Sequence, residues 1–115
     1  MKSFEKAPLV KREKAAIETA ARLLKDRFFI QSIILFGSKA RGDSDAHSDI
    51  DLLLISSKTL HWRDEKAIVD SLFDIGMEYD VIFSPLFISS EEWESGLFKA
   101  FPIYDEITRE GAFVA

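Results

Sequence analysis

The chain has 115 residues, 47% hydrophobic and 30% charged, with a formal net charge of −5 and no cysteine. That length suits one domain around one core, and the missing cysteines exclude a disulfide scaffold or a thiolate metal site and suit a reducing compartment. The acidic balance disfavours nucleic acid as the main partner, because a phosphate backbone wants a basic face.

No apolar run approaches the ~20 residues of a bilayer span. The opening MKSFEKAPLVKREK is charged throughout and lacks the apolar centre of a signal peptide. The expected location is therefore the cytoplasm, with no membrane partner.

Pro8 suits a first helical turn, and Val10, Ile17, Ala20, Ala21, Leu24 and Phe28 recur at helical spacing, which predicts a helix from about Pro8 to Arg27. SIILF (32–36) is β-branched and apolar, a buried strand that Gly37 ends. DIDLLLI (49–55) is a second strand, apolar on both faces as a central strand is. A helix is expected over 62–74, with Ile68, Val69, Leu72 and Phe73 as its buried stripe and Gly76 as its stop. EYDVIFS (78–84) reads as a third strand closed by Pro85. Ser89 and Glu92 fit a capping box for a short helix, and a last helical piece runs from about Pro102 to Gly111.

About a dozen residues without a full helix separate the first two strands, so antiparallel pairing is expected there. A helix joins the second strand to the third, so those two should be parallel. No repeat or linker divides the chain. The expected fold is α+β: residues 1–115 as a single domain, a small mixed sheet with helices packed on it.

The chemistry is concentrated in GSKARGDSDAHSDID (37–51), where Asp43, Asp45, Asp49 and Asp51 fall within nine residues. Carboxylates this close repel one another unless something positive sits among them. Residues two apart on a strand share a face, so Asp49 and Asp51 project together while Ile50, Leu52 and Leu54 fill the other side. Asp80, on the third strand, would join them if the two strands run parallel in register; Glu78 shares its face. Three converging carboxylates suit a hard divalent cation, Mg²⁺ or Mn²⁺, which leaves coordination positions for substrate phosphates. Upstream, Gly37 permits a close turn, the amides after it and the Ser38 hydroxyl can donate to phosphate, and Lys39 and Arg41 add positive charge.

Rival readings are weaker for part of this stretch only. A calcium loop needs glycine at its sixth position and an acid at its twelfth, where this chain has Ser48 and Leu54. Asp43 and Asp45 alone read best as a solvated acidic turn, and His47 as a solvated loop histidine. Asp49 and Asp51 open a strand too apolar for that.

Gly37-Ser38, ten intervening residues and then Asp49-Ile50-Asp51 resembles the signature of the DNA polymerase β nucleotidyltransferase superfamily. The fuller string LFGSKARGDSDAHSDIDLLLI (35–55) is similar to the minimal nucleotidyltransferases, the small antitoxin partners of HEPN-domain toxins. YDVIF matches their third-carboxylate strand more loosely, and YDEITREGAFV (104–114) resembles their usual ending. The resemblance implies Asp49, Asp51 and Asp80 as catalytic metal ligands. It implies Gly37 and Ser38, with Arg41, as nucleotide-binding residues and ATP as donor. It further implies transfer of a nucleoside monophosphate to a hydroxyl, with a HEPN-domain protein presenting the acceptor.

The rival from another class is a non-catalytic antitoxin that masks its partner by contact, and self-association stays open. The segment SPLFISSEEWESGLFKAFPIYDEI (84–107) is rich in large aromatics. Its part near Trp93 to Phe101 is the expected docking surface.

Overall fold

The structure, a computed structural model, describes all of residues 1–115. Two strands form its centre, β2 (Ile30–Phe36) and β3 (Ile50–Ser56). They pair antiparallel, with Ile33 beside Leu54 and Phe36 beside Asp51. β4 (Phe83–Ser89) lies parallel to β3, with Ile50 beside Phe83 and Asp51 beside Ser84. Both pairings agree with the expectation from connection length. Two short strands that carry no sequence signal, β1 (Lys2–Ser3) and β5 (Ala112–Phe113), complete a sheet ordered β1-β5-β2-β3-β4.

Side chains of β3 alternate between two cores. On one face Leu52 and Leu54 meet helices α1 (Lys11–Arg27) and α3 (Trp62–Tyr79), where Ile17, Leu24, Ile68 and Leu72 are buried. On the other face Leu53 and Ile55 join Ile34, Phe36 and Ile88 beneath helix α5 (Pro102–Glu110), which contributes Ile107. A fully buried Leu or Ile stabilises by about 1.5–3 kcal/mol. The run Leu52-Leu53-Leu54 therefore fastens helices to both sides of one strand. Its polar start, Asp49 and Asp51, is held at the end of the most buried element of the fold.

Several sequence expectations shift. Helix α1 begins at Lys11 rather than Pro8, and the Glu13 carboxylate accepts from the Val10 N–H at 3.0 Å. Helix α3 does not stop at Gly76. It runs on to Tyr79, and the residue that ends it is Asp80, in the left-handed conformation at φ 57°. Gly76 is needed inside the helix, where a Cβ would stand 2.5 Å from the Val81 carbonyl oxygen.

Residues 78–80 are consequently not strand, and Pro85 lies within β4 instead of closing it. Proline is tolerated there because β4 is the sheet edge, where a missing N–H breaks no ladder on the open side. The buried stripe of α3 is Ile68, Leu72 and Ile75, while Val69 and Phe73 are exposed. Two adjacent apolar stripes occur in this helix, and only one can face the sheet.

The aromatic segment divides in the same way. Trp93, on the short helix α4 (Ser90–Ser95), packs 4.9 Å from Tyr104 and 5.8 Å from Phe98 between ring centroids, and extends the second core. Leu97 and Phe101 remain exposed. The capping box at Ser89 and Glu92 forms as expected. No helix is long and apolar enough to cross a membrane.

Candidate active site

β2 ends at Gly37, which takes φ 75° and starts the single turn α2 (Ser38–Arg41). Its carbonyl accepts from the N–H groups of Ala40 and Arg41, both at 3.1 Å. A side chain is excluded at Gly37 on two grounds. The positive φ strains any residue with a Cβ, and that Cβ would overlap Asp51 Oδ2. The phosphate-type turn and the carboxylate thus meet across the β2–β3 pair, where Phe36 and Asp51 are register partners.

Asp49 is exposed just before β3, and Asp51 is half-buried as the second residue of that strand. Asp51 lies on the α5 face. Burial pushes its carboxyl pKa up, the negative charges of Asp49 and Glu106 push it further, and Arg41 pulls it back. A half-buried carboxylate whose proton affinity is raised by burial and by neighbouring negative charge is an incomplete electrostatic unit, suited to a cation.

Asp80 does not complete it. As the left-handed cap of α3 it is exposed and lines a groove of about 540 Å³ with Arg12, His47, Ser48 and Ile50. The β4 residue beside Asp51 is Ser84, and the Ile50 N–H donates to Ile82 O at 2.8 Å. β4 therefore brings no acid to the pair. No group of three His, Asp or Glu side chains is gathered closely enough to hold an ion. The expected convergence of Asp49, Asp51 and Asp80 depended on a strand at 78–80, where the chain instead forms the last turn of α3 and its left-handed cap. Glu78, the other candidate, lies in that helix too.

The two cations of the turn have different fates. Lys39 is buried, 2.5 Å from Glu13 Oε2 and donating to Asp45 O at 2.8 Å. It is unavailable to phosphate and instead ties α1, α2 and the acidic loop together. Arg41 is accessible. Its Nε donates to Asp43 Oδ2 at 3.0 Å and its Nη1 to Glu106 Oε1 at 2.6 Å, with Glu110 Oε2 at 3.8 Å. The Asp43 hydrogen bond is the largest of the effects that raise its pKa.

The remaining acids organise the loop. Asp45 Oδ1 accepts from the His47 N–H at 2.8 Å, and Ser48 Oγ accepts from the Asp45 N–H at 3.1 Å. The His47 bond and a second one to the same carboxylate oxygen, donated by the Ser48 hydroxyl at 3.3 Å, pull the Asp45 pKa down, the His47 one most. Asp43 and Asp45 behave as the solvated-turn reading has it, and His47 is exposed.

Four contributors carry no motif that sequence reasoning could use: Glu13, Ser84, Glu106 and Glu110. Glu106 and Glu110 stand at i, i+4 spacing on α5, and that shared face is their only sequence trace.

Residues 18–92 match the model of the family described as Polymerase beta, Nucleotidyltransferase. A candidate protein adenylyltransferase of Methanocaldococcus jannaschii, MJ0141, is 33% identical over 78 residues, covering 68% of this chain and 74% of that one. A toxin-antitoxin crystal structure with AMP-PNP superposes with a TM-score of 0.60 at 21% identity, over 84% of this chain and 70% of that chain. The tri-AMPylated Shewanella oneidensis HEPN toxin in complex with MNT antitoxin gives a TM-score of 0.55 at 18% identity, over 88% and 70% of the two chains. At these identities the structural likenesses speak for the fold.

Proposed function

The chain belongs to the polymerase beta nucleotidyltransferase family, and from that premise we propose that it moves AMP from ATP to a hydroxyl on a HEPN-type protein partner, as that protein's antitoxin. The observation that carries this reading is the approach of Asp51 to Gly37, which sets an acidic pair directly against a glycine turn. A triphosphate needs both: donors for its oxygens and a carboxylate-held cation for its charge.

In this reading the amides that follow Gly37 and the Ser38 hydroxyl donate to the phosphates, and Arg41 contacts them from the side. Asp49 and Asp51 would hold a divalent cation, Mg²⁺ or Mn²⁺, which when bound supplies charge neutralisation for the triphosphate and the leaving pyrophosphate. Two carboxylates, one already reluctant to ionise, fit a cation that takes few protein ligands. Asp80 has no part in this set. The acceptor hydroxyl oxygen forms the new bond to the α-phosphorus, the bond to the β-phosphate oxygen breaks, and the hydroxyl proton passes to solvent. The protein acceptor is supported by the relative's name as a candidate protein adenylyltransferase and by the neighbour that holds an AMPylated HEPN toxin.

Masking by contact is the second reading. That no third acid gathers with Asp49 and Asp51 into an ion-holding group favours it. Incubating the chain with ATP, Mg²⁺ and a HEPN-domain protein from the same genome, then weighing that protein by mass spectrometry, separates the two. Addition of AMP supports transfer. A complex without mass gain replaces transfer with masking, and neither outcome rejects the HEPN partner.

A further inference from the structure

Helix α3 carries a second apolar stripe that nothing in the chain covers. Val69 is 44% exposed, Phe73 66% and Met77 71%, and Ile82 beyond the helix is 64% exposed. With Phe83 and Pro85 of β4 they line a groove of about 370 Å³. Single exposed apolar residues are ordinary, but a contiguous row of this size marks an interaction surface.

Charge along the row identifies what fits. At 100° per residue, Lys66, Val69 and Met77 all fall within about 40° of Phe73. The stripe therefore reads cation, apolar, apolar, apolar from its N-terminal end, and Asp80 stands at its C-terminal end. Lys66 pairs only with its exposed neighbour Asp70, at 2.8 Å, and Asp80 makes no ion pair within the chain. A two-fold axis through Phe73 turns such a stripe into its own complement. Phe73 then meets Phe73 of a second copy, Val69 meets the second copy's Met77, and Lys66 approaches the second copy's Asp80.

We propose that this face of α3 and the rim of β4 form an isologous interface with a second copy of the chain, the two α3 helices antiparallel about Phe73. Extension of the sheet through β4 is the poorer way to self-associate, because Pro85 removes a donor from that open edge. The proposal stands apart from the transferase reading, since it uses neither Asp49 nor Asp51.

Sedimentation of the full chain tests it, together with cross-linking that exploits the absence of native cysteine. The wild type should sediment as a dimer, and Phe73→Glu as a monomer with unchanged circular dichroism. Phe73→Cys should oxidise to a disulfide-linked dimer far faster than Leu97→Cys, an exposed control away from α3. A wild type that stays monomeric up to about 1 mM, the weak limit of useful association, overturns the proposal. So does a dimer that survives Phe73→Glu, or equal cross-linking at residues 73 and 97. If a HEPN protein rather than a second copy occupies this face, the free chain is monomeric and the proposal fails by the same measurement.

Discussion

Arg41 Nη1 donates to Glu106 Oε1 at 2.6 Å, which joins the turn after β2 to helix α5 across 65 residues of chain. With Asp43 on Nε and Glu110 nearby, three carboxylates lie within 4 Å of this one guanidinium. A triphosphate that reaches Arg41 must compete with them.

Glu106→Gln is accordingly expected to tighten the binding of AMP-PNP with Mg²⁺. Arg41→Ala should weaken it, each by a few-fold, the scale of an accessible ion pair. Titration calorimetry measures both. Unchanged affinity in both variants would remove Arg41 from the phosphate site and leave it as a tether for α5.

Asp51 links pH to stability. Its folded pKa is raised above the ordinary aspartate value of 3.8, by burial first and then by Asp49 and Glu106. The folded chain therefore binds this proton more tightly than the unfolded one. Stability is lost as pH rises from that ordinary value through the raised one, and the loss is complete above it. Asp51→Asn should thus raise the Tm of the metal-free chain at pH 7, with the gain fading as pH falls through the raised value and gone below 3.8. The same variant should abolish transfer, because the amide keeps the size of the carboxylate and loses its charge. Thermal melts across pH and a transfer assay report the two effects separately.

The acidic pair was legible in sequence because period-2 alternation puts Asp49 and Asp51 on one face whatever surrounds the strand. Asp80 was misplaced because Glu78 to Ser84 has strand-like composition, and nothing local reveals that an aspartate takes the left-handed cap one turn after a buried Gly76. The stripe of α3 was half right for a related reason. Ile68/Leu72 and Val69/Phe73 are equally apolar, and only the packing of α1 and the sheet decides which pair faces inward. Glu106 was invisible because its partner is 65 residues away. Lys39, next to Ser38, looked like a phosphate ligand, and its burial against Glu13 depends on where α1 begins.

The placement of Asp80 gives a discriminating variant. Asp80→Asn keeps a residue type that tolerates φ 57° and deletes only charge. Transfer should persist near the wild-type rate while Asp51→Asn is inactive. A loss in Asp80→Asn comparable to that in Asp51→Asn would mean that α3 unwinds at its end to bring this carboxylate to the pair.

The buried Lys39–Glu13 pair sets the last expectation. Both side chains are nearly sealed, 4% and 7% exposed, and each makes one further bond, Lys39 to Asp45 O and Glu13 from the Val10 N–H. Removing one partner strands a buried charge, which costs about 3–5 kcal/mol, whereas replacing both with apolar residues is often close to neutral. Lys39→Met should therefore destabilise strongly in urea unfolding, and Lys39→Met with Glu13→Leu should recover most of the loss. The double variant still lacks the bond from Lys39 to Asp45 O, so the 43–49 loop is left less firmly attached to α2. If that bond helps position Asp49, the double variant will be stable and will bind AMP-PNP with Mg²⁺ more weakly than wild type. Full stability with full nucleotide affinity would instead show that the loop is placed by its own Asp45–His47–Ser48 hydrogen bonds.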